Sequence, residues 1–275
     1  MKVGPAQFVF LCQLLRRRTG VVIDSSKEYL VVARLLPVVR QRKLPSIDAL
    51  IERVRRGTDP TLERDVLSAM MTHETSFFRD KSPFETVRRL VPEIVQRHPE
   101  QRQLTFWSAA CSTGQEPYSL AILLNEHFRD LLASWQVRII ATDFSEAVLA
   151  RAREGVFSGL ETARGLTPGL LAKYFRPLQG KWSISQDCRR LVEFRPLNLV
   201  ATWPMMPPCD VIFVRNVMIY FDVTTRAALV ERFRKLLRAD GALFLGGAET
   251  LIGMDSGYDR LMGAGCSYYR PKPKR

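Results

Sequence analysis

The sequence has few of the side chains that build disulfides and metal sites. The five cysteines of the 275-residue chain are Cys12, Cys111, Cys188, Cys209 and Cys266. They are odd in number, widely spaced and never arranged as a CxxC pair, which argues against a disulfide framework and a cysteine zinc site. The three histidines lack the spacing of a zinc ligand pair. We therefore expect no metal site, and a reducing compartment.

Long apolar runs are also missing. No run approaches the ~18–20 residues that a membrane-spanning helix needs. The apolar stretch 8–15 is interrupted by Gln13, and its arginines follow it at 16–18. A secretory signal peptide carries its positive charge first. These absences predict a cytoplasmic protein without direct membrane insertion.

Negative charge is scarce relative to positive charge. The chain has 41 Lys and Arg against 28 Asp and Glu, a net charge of +13. Residues 1–60 hold 12 basic and 5 acidic side chains, so a net +7 lies in less than a quarter of the chain. Such an excess favours an anionic partner, which can be a nucleic acid, a membrane surface or an acidic protein. A solvated basic helix face is the simpler alternative.

Residues 1–72 have the pattern of helices and turns. The spacing of apolar residues predicts helices over 6–17, from near Lys27, over 47–56 and over 61–72. Pro37 is expected to end or kink the second helix near Leu36, because proline lacks the backbone N–H and clashes with the preceding turn. We predict an all-helical N-terminal domain over 1–72, followed by a linker and helix over 73–100.

From Leu104 onward, short apolar runs alternate with amphipathic segments. The predicted strands are 104–108, 137–142, 191–194, 210–214, 242–246 and 266–269. The predicted helices are 116–128, 146–154, 168–174 and 224–237. This alternation indicates an α/β domain with a mostly parallel sheet over 101–275. A polar stretch at about 176–190 interrupts it and is compatible with a small inserted hairpin.

A turn of small residues follows the first predicted strand. Residues 106–119 run from the strand through Gly114 to Glu116 and Pro117, and Pro117 suits the first turn of a helix. One glycine followed by a carboxylate is not a dinucleotide fingerprint, because Glu116 would repel a pyrophosphate. The arrangement favours S-adenosylmethionine over NAD or FAD. An ordinary turn, in which Glu116 complements the helix dipole, is the equally weighted alternative.

The next strands end in polar residues as well. Asp143 follows the second strand, where a carboxylate can accept the ribose hydroxyls of an adenosine or cap a helix. Arg215 and Asn216 follow the strand 210–214 at the same edge. Tyr220 lies shortly after them and suits either a cleft or the core.

These segments together resemble the chemotaxis CheR family of methyltransferases. The shared stretches are 75–80, 107–119, 141–143, 198–199 and 215–221. The resemblance implies an all-α N-terminal domain before a Rossmann-like class I methyltransferase domain with a small inserted antiparallel β-subdomain, here at about 176–194. It also implies transfer of a methyl group from S-adenosylmethionine to chemoreceptor glutamates. The products would be glutamate methyl esters and S-adenosylhomocysteine, made for sensory adaptation.

The family's functional positions map onto this chain residue by residue. The implied cofactor contacts are His73, Thr75, Arg79, Glu116, Asp143, Asn198, Leu199, Arg215 and Asn216. The implied catalytic residues are Arg79 and Tyr220, with Tyr220 beside the transferred methyl group. The implied partners are the acidic cytoplasmic helices of chemoreceptors, and we expect a monomer that binds no nucleic acid.

Three departures from the family pattern have consequences. His73 replaces the usual Asn, so its charge depends on pH. The basic helix of the family loses a later arginine here and gains Pro37, which puts in doubt how this helix docks on a receptor. The inserted hairpin is compact, which predicts independence from a peptide tether at the receptor C-terminus.

The resemblance leaves two other functions to compare. Methylation of RNA or DNA would use the basic surplus, but the chain has neither a base-methylation motif nor an RNA-recognition signature. A non-catalytic S-adenosylmethionine-binding scaffold is suggested by His73, whereas Glu116, Asp143 and Tyr220 argue against it. A glutamate acceptor needs no general base, because its carboxyl, with a pKa near ~4.3, is ionised at neutral pH.

Overall fold

The computed structural model describes residues 3–254 and 257–273. The chain forms two compact units. The first runs to Thr72 and also includes the segment Tyr220–Arg226, which lies far along the chain. The second holds His73–Ile219 and the chain from Ala227 onward. The domain bounds predicted from the sequence did not place Tyr220–Arg226 with the helical unit.

The first unit is built from four helices. They are α1 (Pro5–Thr19), α2 (Glu28–Gln41), α3 (Ile47–Arg55) and α4 (Pro60–Met70), with a 3-10 turn at Ser25–Lys27. The side chain of Ser46 caps α3 by accepting from the Ala49 N–H, and Asp59 caps α4 in the same way. Each helix buries one apolar face, as the periodicity predicted.

Of the two outcomes expected at Pro37, an end or a kink of the second helix, the first is wrong. Helix α2 continues through Pro37 to Gln41. Its buried residues lie on both sides of the proline, with Val31 and Leu35 before it and Val38 and Val39 after it. Burial of this continuous apolar face offsets the hydrogen bond that the proline cannot donate.

The second unit is centred on a seven-stranded sheet. Its strands are β1 (Gln103–Ala109), β2 (Gln136–Asp143), β6 (Val192–Pro196), β7 (Cys209–Val214), β8 (Leu237–Leu245), β9 (Tyr258–Met262) and β10 (Ser267–Pro271). Their order is β6-β2-β1-β7-β8-β10-β9. The first five in that order are parallel, and β10 is antiparallel to both of its neighbours, β8 and β9. The predicted α/β class with a mostly parallel sheet is therefore confirmed.

Eight helices accompany this sheet within the described residues. They are α5 (Ser82–Arg97), α6 (Gln115–His127), α7 (Arg129–Ser134), α8 (Glu146–Glu154), α9 (Gly159–Ala163), α10 (Pro168–Tyr174), α11 (Gln186–Arg189) and α12 (Val223–Leu236). Strand β7 is buried along its whole length and pairs with β1 on one side and β8 on the other. The carboxyl ends of β1, β2, β7 and β8 consequently meet at one edge of the sheet.

A second, smaller sheet has three antiparallel strands. They are β3 (Val156–Phe157), β4 (Phe175–Leu178) and β5 (Lys181–Ile184), in the order β3-β5-β4. Strand β5 lies inside the predicted range 176–194 and β4 begins one residue before it, while β3 comes from much earlier in the chain. The strand at Val192–Pro196 belongs to the large sheet instead, because it pairs with β2.

No helix among residues 3–254 and 257–273 is both long and apolar enough to cross a membrane.

Candidate active site

The turn after β1 has an unusual backbone. Ala110, Ser112 and Gly114 all have positive φ angles, of 61°, 52° and 95°. Such angles are costly for residues other than glycine and are often found at functional sites. Gly114 also packs closely, since a Cβ there would lie 3.0 Å from the Cβ of Ala152. This turn leads into α6 at the carboxyl edge of the sheet.

Asp143 ends β2 and holds this turn. One of its carboxylate oxygens accepts from the Ser112 N–H at 2.9 Å and the other from the Ser145 N–H at 3.0 Å. The residue is buried, and burial raises the pKa of its carboxyl, while the two backbone N–H donors act to lower that pKa. A carboxylate accepts about four hydrogen bonds in all, so Asp143 can accept from a ligand hydroxyl as well.

His73 lies against the same turn. Its carbonyl oxygen accepts from the Ser112 hydroxyl at 2.8 Å. The charge of His73 acts to lower the pKa of Asp143, so the two side chains are electrostatically linked. The structure thus brings together the two predicted positions His73 and Asp143 with Ser112, which the sequence did not single out.

Glu116 and Arg215 form a buried ion pair. The side chains are 12% and 1% exposed, and Arg215 Nη1 lies 2.9 Å from Glu116 Oε2. The other Glu116 oxygen accepts from the Ser108 hydroxyl at 2.6 Å. Arg215 Nη2 donates to the Arg79 carbonyl and to Asp80 Oδ2, both at 2.7 Å. One guanidinium therefore ties the start of α6 to the segment that carries Arg79.

The segment 74–81 lines a pocket of about 540 Å³ together with Arg164 and Gly165. Its conformation is strained, because Phe78, Asp80 and Lys81 have φ angles of 47°, 65° and 42°. The Phe78 N–H donates to the Ser119 hydroxyl at 2.9 Å, which anchors the segment to α6.

The neighbouring aromatic ring anchors the same segment in the core. Phe77 is 1% exposed and packs edge-on against Phe157 and Phe175. Two predicted positions, Thr75 and Arg79, line the pocket on this anchored segment.

Asn198 and Leu199 lie in the turn after β6. The Leu197 N–H donates to the Asp143 carbonyl at 2.9 Å, so this turn is attached to the end of β2. Arg232 of α12 donates to the carbonyls of Leu199 and Ala201, at 2.8 and 2.6 Å. Sequence patterns gave no signal for Arg232, because it lies on a helix among several other arginines.

Asn216 follows Arg215 in a left-handed conformation, with φ 58°. Its N–H donates to Glu249 Oε2 at 2.7 Å. Glu249 lies in the loop after β8 and was also not anticipated. A carboxylate shortly after a strand at this edge is the signal that could have identified it.

Tyr220, the remaining predicted site residue, begins the segment that lies with the helical unit. Its carbonyl accepts from the Val22 N–H at 2.9 Å, and Phe221 forms a β-bridge with Val21. An ion pair joins Asp222 to Arg16 at 2.8 Å.

The chemistry that these groups allow is limited. Burial raises the pKa of the Cys111 thiol well above its usual value, which disfavours the thiolate that a nucleophile requires. Across residues 3–254 and 257–273, no cluster of three or more His, Cys, Asp or Glu side chains is arranged to hold a metal ion. The site presents the carboxylates of Glu116 and Asp143, the guanidinium of Arg215 and backbone N–H donors.

Comparison with known proteins identifies both units. A family model described as the CheR methyltransferase SAM binding domain matches residues 73–264, and the CheR methyltransferase all-alpha domain matches residues 6–72. The chain is 36% identical over 262 residues to the chemotaxis protein methyltransferase Cher2 of Pseudomonas putida, covering 94% of this chain and 95% of that protein.

Two further relatives are equally similar. Chemotaxis protein methyltransferase 1 of Pseudomonas aeruginosa is 36% identical over 278 residues, covering 99% of this chain and all of that protein. Chemotaxis protein methyltransferase 1 of Vibrio cholerae is 36% identical and covers 94% of each. The expected family, its Rossmann-like fold and its cofactor are thereby confirmed. The chain belongs to the CheR methyltransferase family, and residues 73–264 form its S-adenosylmethionine-binding domain.

Proposed function

We propose that this protein transfers the methyl group of S-adenosylmethionine to glutamate side chains of chemoreceptors. The pocket beside Arg79 is the observation that carries the proposal. Its cationic side chains are Arg79, Lys81 and Arg164, and its carboxylates are Glu74 and Asp80. Both carboxylates are engaged, Glu74 with Arg164 at 3.0 Å and Asp80 with Arg215 at 2.7 Å. The pocket therefore carries one more positive than negative side chain, which favours the approach of an anionic acceptor to a cofactor held beside it.

The two carboxylates that line this pocket, Glu74 and Asp80, are both paired with arginines, which makes them weak general bases. A lysine, serine or nucleobase acceptor would need a group that removes its proton, whereas a glutamate arrives already ionised. A carboxylate acceptor therefore fits the pocket better than a neutral one.

The donor set of the site fits the proposed cofactor contacts. S-adenosylmethionine carries a cationic ammonium and sulfonium, a carboxylate and two ribose hydroxyls. We assign the ribose to Asp143, whose carboxylate is held beside the strained turn by the Ser112 and Ser145 N–H groups. We assign the polar tail to the pocket of Thr75 and Arg79 and to the neighbouring Glu116.

The reaction needs alignment rather than proton transfer. When bound, S-adenosylmethionine supplies a methyl group on a positively charged sulfur. A glutamate oxygen attacks the methyl carbon, the C–O bond forms as the C–S bond breaks, and the bonding electrons go to sulfur. Both charges disappear, so a strong ion pair to the acceptor would oppose the reaction. We assign Arg79 the task of orienting the acceptor or the cofactor, and Tyr220 a position beside the methyl group.

The helical unit supports an acidic protein partner. Arg16, Arg17 and Arg18 are exposed at the end of α1. Arg16 pairs with Asp222 and Arg18 with Glu63, but their side chains remain 68% and 53% exposed. The Arg34 side chain is instead held inside the helical unit. Its guanidinium donates to the Met70 carbonyl at 2.5 Å and to the Thr72 hydroxyl at 2.8 Å. We therefore assign the steering of acidic receptor helices to the arginines of α1 rather than to Arg34.

The small sheet supports independence from a receptor tether. Strand β4 is an edge strand of four residues, and it contains Pro177. Proline has no N–H to donate to an added strand. Arg176 folds back to donate to the carbonyls of Ala172 and Phe175, which further encumbers this edge.

Methyl transfer from labelled S-adenosylmethionine tests the function. The protein is incubated with a chemoreceptor cytoplasmic fragment, the same fragment with its methylatable Glu residues replaced by Gln, and total RNA. We expect base-labile label in the first fragment only. Label in RNA, or base-stable label in protein, would overturn the proposal. A fragment without its C-terminal tail should be methylated within about twofold of the intact fragment, a difference of ~0.4 kcal/mol.

A further inference from the structure

Glu249 accepts hydrogen bonds from backbone groups of two loops. Its Oε2 accepts from the N–H groups of Asn216 and Gly246, at 2.7 and 2.6 Å. Its Oε1 accepts from the Ile219 N–H at 3.2 Å. The loops follow β7 and β8, which are neighbours in the sheet. One carboxylate thus connects the ends of two adjacent strands at the edge that carries the site.

The surrounding backbone is fitted to this contact. A Cβ on Gly246 would lie 2.7 Å from both Asn216 Nδ2 and Glu249 Oε2, and 2.8 Å from the Asn216 N atom. Such distances are shorter than real Cβ contacts, so a side chain at Gly246 would force the loops apart. The left-handed conformation of Asn216, with φ 58°, aims its N–H at the carboxylate.

We infer that Glu249 is a positioning residue for cofactor binding. Hydrogen bonds to a charged acceptor are stronger than neutral ones, and three of them fix the backbone from Asn216 to Ile219 and at Gly246. This backbone directly follows Arg215, whose guanidinium holds Glu116. The inference rests on the proposed function in one respect, namely the role of Asn216 as a cofactor contact.

The experiment measures the Kd for S-adenosylhomocysteine by calorimetry. Glu249→Ala removes all three acceptor contacts, and we expect its Kd to rise about tenfold or more. Glu249→Gln keeps one acceptor oxygen, so its Kd should lie between those of Glu249→Ala and the wild type. Gly246→Ala disturbs the same contact without removing charge and should also raise the Kd.

The matched control is Glu231→Gln on α12. Glu231 pairs with Arg234 and Lys235 on the helix surface. This variant should bind with the wild-type Kd. All variants are compared at a temperature where circular dichroism shows them folded. Replacing a residue that only stabilises the fold would lower the melting temperature without changing the Kd of the folded protein.

Two outcomes separate the two proposals. If folded Glu249→Ala and Gly246→Ala both bind within about twofold of the wild type, the inference about Glu249 is wrong. If the wild type binds S-adenosylhomocysteine but methylates no receptor glutamate, the proposed function is wrong and the inference about Glu249 stands. For active variants, the KM for S-adenosylmethionine should rise more than kcat falls, because the residue acts through binding.

Discussion

The buried guanidinium of Arg215 offers a sharp test of how the site is held together. Arg215→Met removes the charge while keeping much of the side-chain volume. The substitution leaves the Glu116 side chain, which is 12% exposed, with its hydrogen bond from the Ser108 hydroxyl. Removing one partner of a buried ion pair costs about 3–5 kcal/mol, because the other charge stays buried and uncompensated. Asp80 is 49% exposed, so water replaces much of its interaction with Arg215. Loss of this ion pair therefore adds less than about 1 kcal/mol to the cost of the substitution.

Urea denaturation with linear extrapolation measures this loss as a change in the free energy of unfolding. For a unit of this size each kcal/mol lowers the melting temperature by about 2–4 °C, so we expect a shift of roughly 6–20 °C. The control is Arg234→Met. Arg234 pairs with Glu231 along an exposed helix face, with side chains 26% and 44% exposed, and its loss should cost under about 1 kcal/mol.

A double-mutant cycle identifies the source of the effect. Glu116→Gln removes the carboxylate charge, so Arg215→Met combined with Glu116→Gln should recover about 1–3 kcal/mol of the loss. A cost below about 1 kcal/mol for Arg215→Met would contradict the reasoning. So would energies that simply add in the double variant, because the two side chains would then not interact.

Three further predictions concern Asp143 and the loop at Gly165. Asp143→Ala should abolish S-adenosylhomocysteine binding in calorimetry, and unchanged affinity would contradict its assigned role. Because burial raises the pKa of Asp143, its carboxylate is lost at a higher pH than that of a surface Asp. Cofactor affinity should therefore weaken as the pH falls, and Asp143→Asn should remove this dependence from a titration of Kd against pH. Gly165→Ala places a Cβ 1.8 Å from the Phe77 carbonyl oxygen at φ 108°. It should lower the melting temperature more than the control Gly180→Ala. Gly180 has open space around it at φ 74°, so the control is destabilised only by a side chain in the left-handed conformation, which costs about 1–2 kcal/mol.

Local patterns predicted most of the elements that form the large sheet. The apolar run at 210–214 and the strand Cys209–Val214 agree because a fully buried strand has a strong sequence signal. Helix Arg129–Ser134 was not predicted, since six residues are too few for a visible periodicity. Strand Tyr258–Met262 was also missed, because it is an edge strand that buries only Tyr258 completely. Pro37 does not end its helix, because tertiary burial outweighed a local rule.

Sequence reasoning proposed site residues where they lie at or shortly after the end of a strand. Glu116 and Asp143 were proposed in this way, since their positions relative to a strand can be read locally, and their roles stay predictions. Glu249 and Arg232 act on distant backbone groups and have no local pattern that separates them from surface charges. Such residues become visible only when the atoms that they contact are known.

The sequence by itself determined the order of helices and strands, the family motifs and the basic excess near the N-terminus. These properties depend on residues close together in the chain, so their physical causes are local. Only the tertiary structure decided which charges are buried together. Arg215 meets Asp80 and Glu116 across 135 and 99 residues, and Tyr220–Arg226 joins the helical unit. Burial of a charge requires a partner, and that partner is selected by the packing of the sheet rather than by distance along the chain.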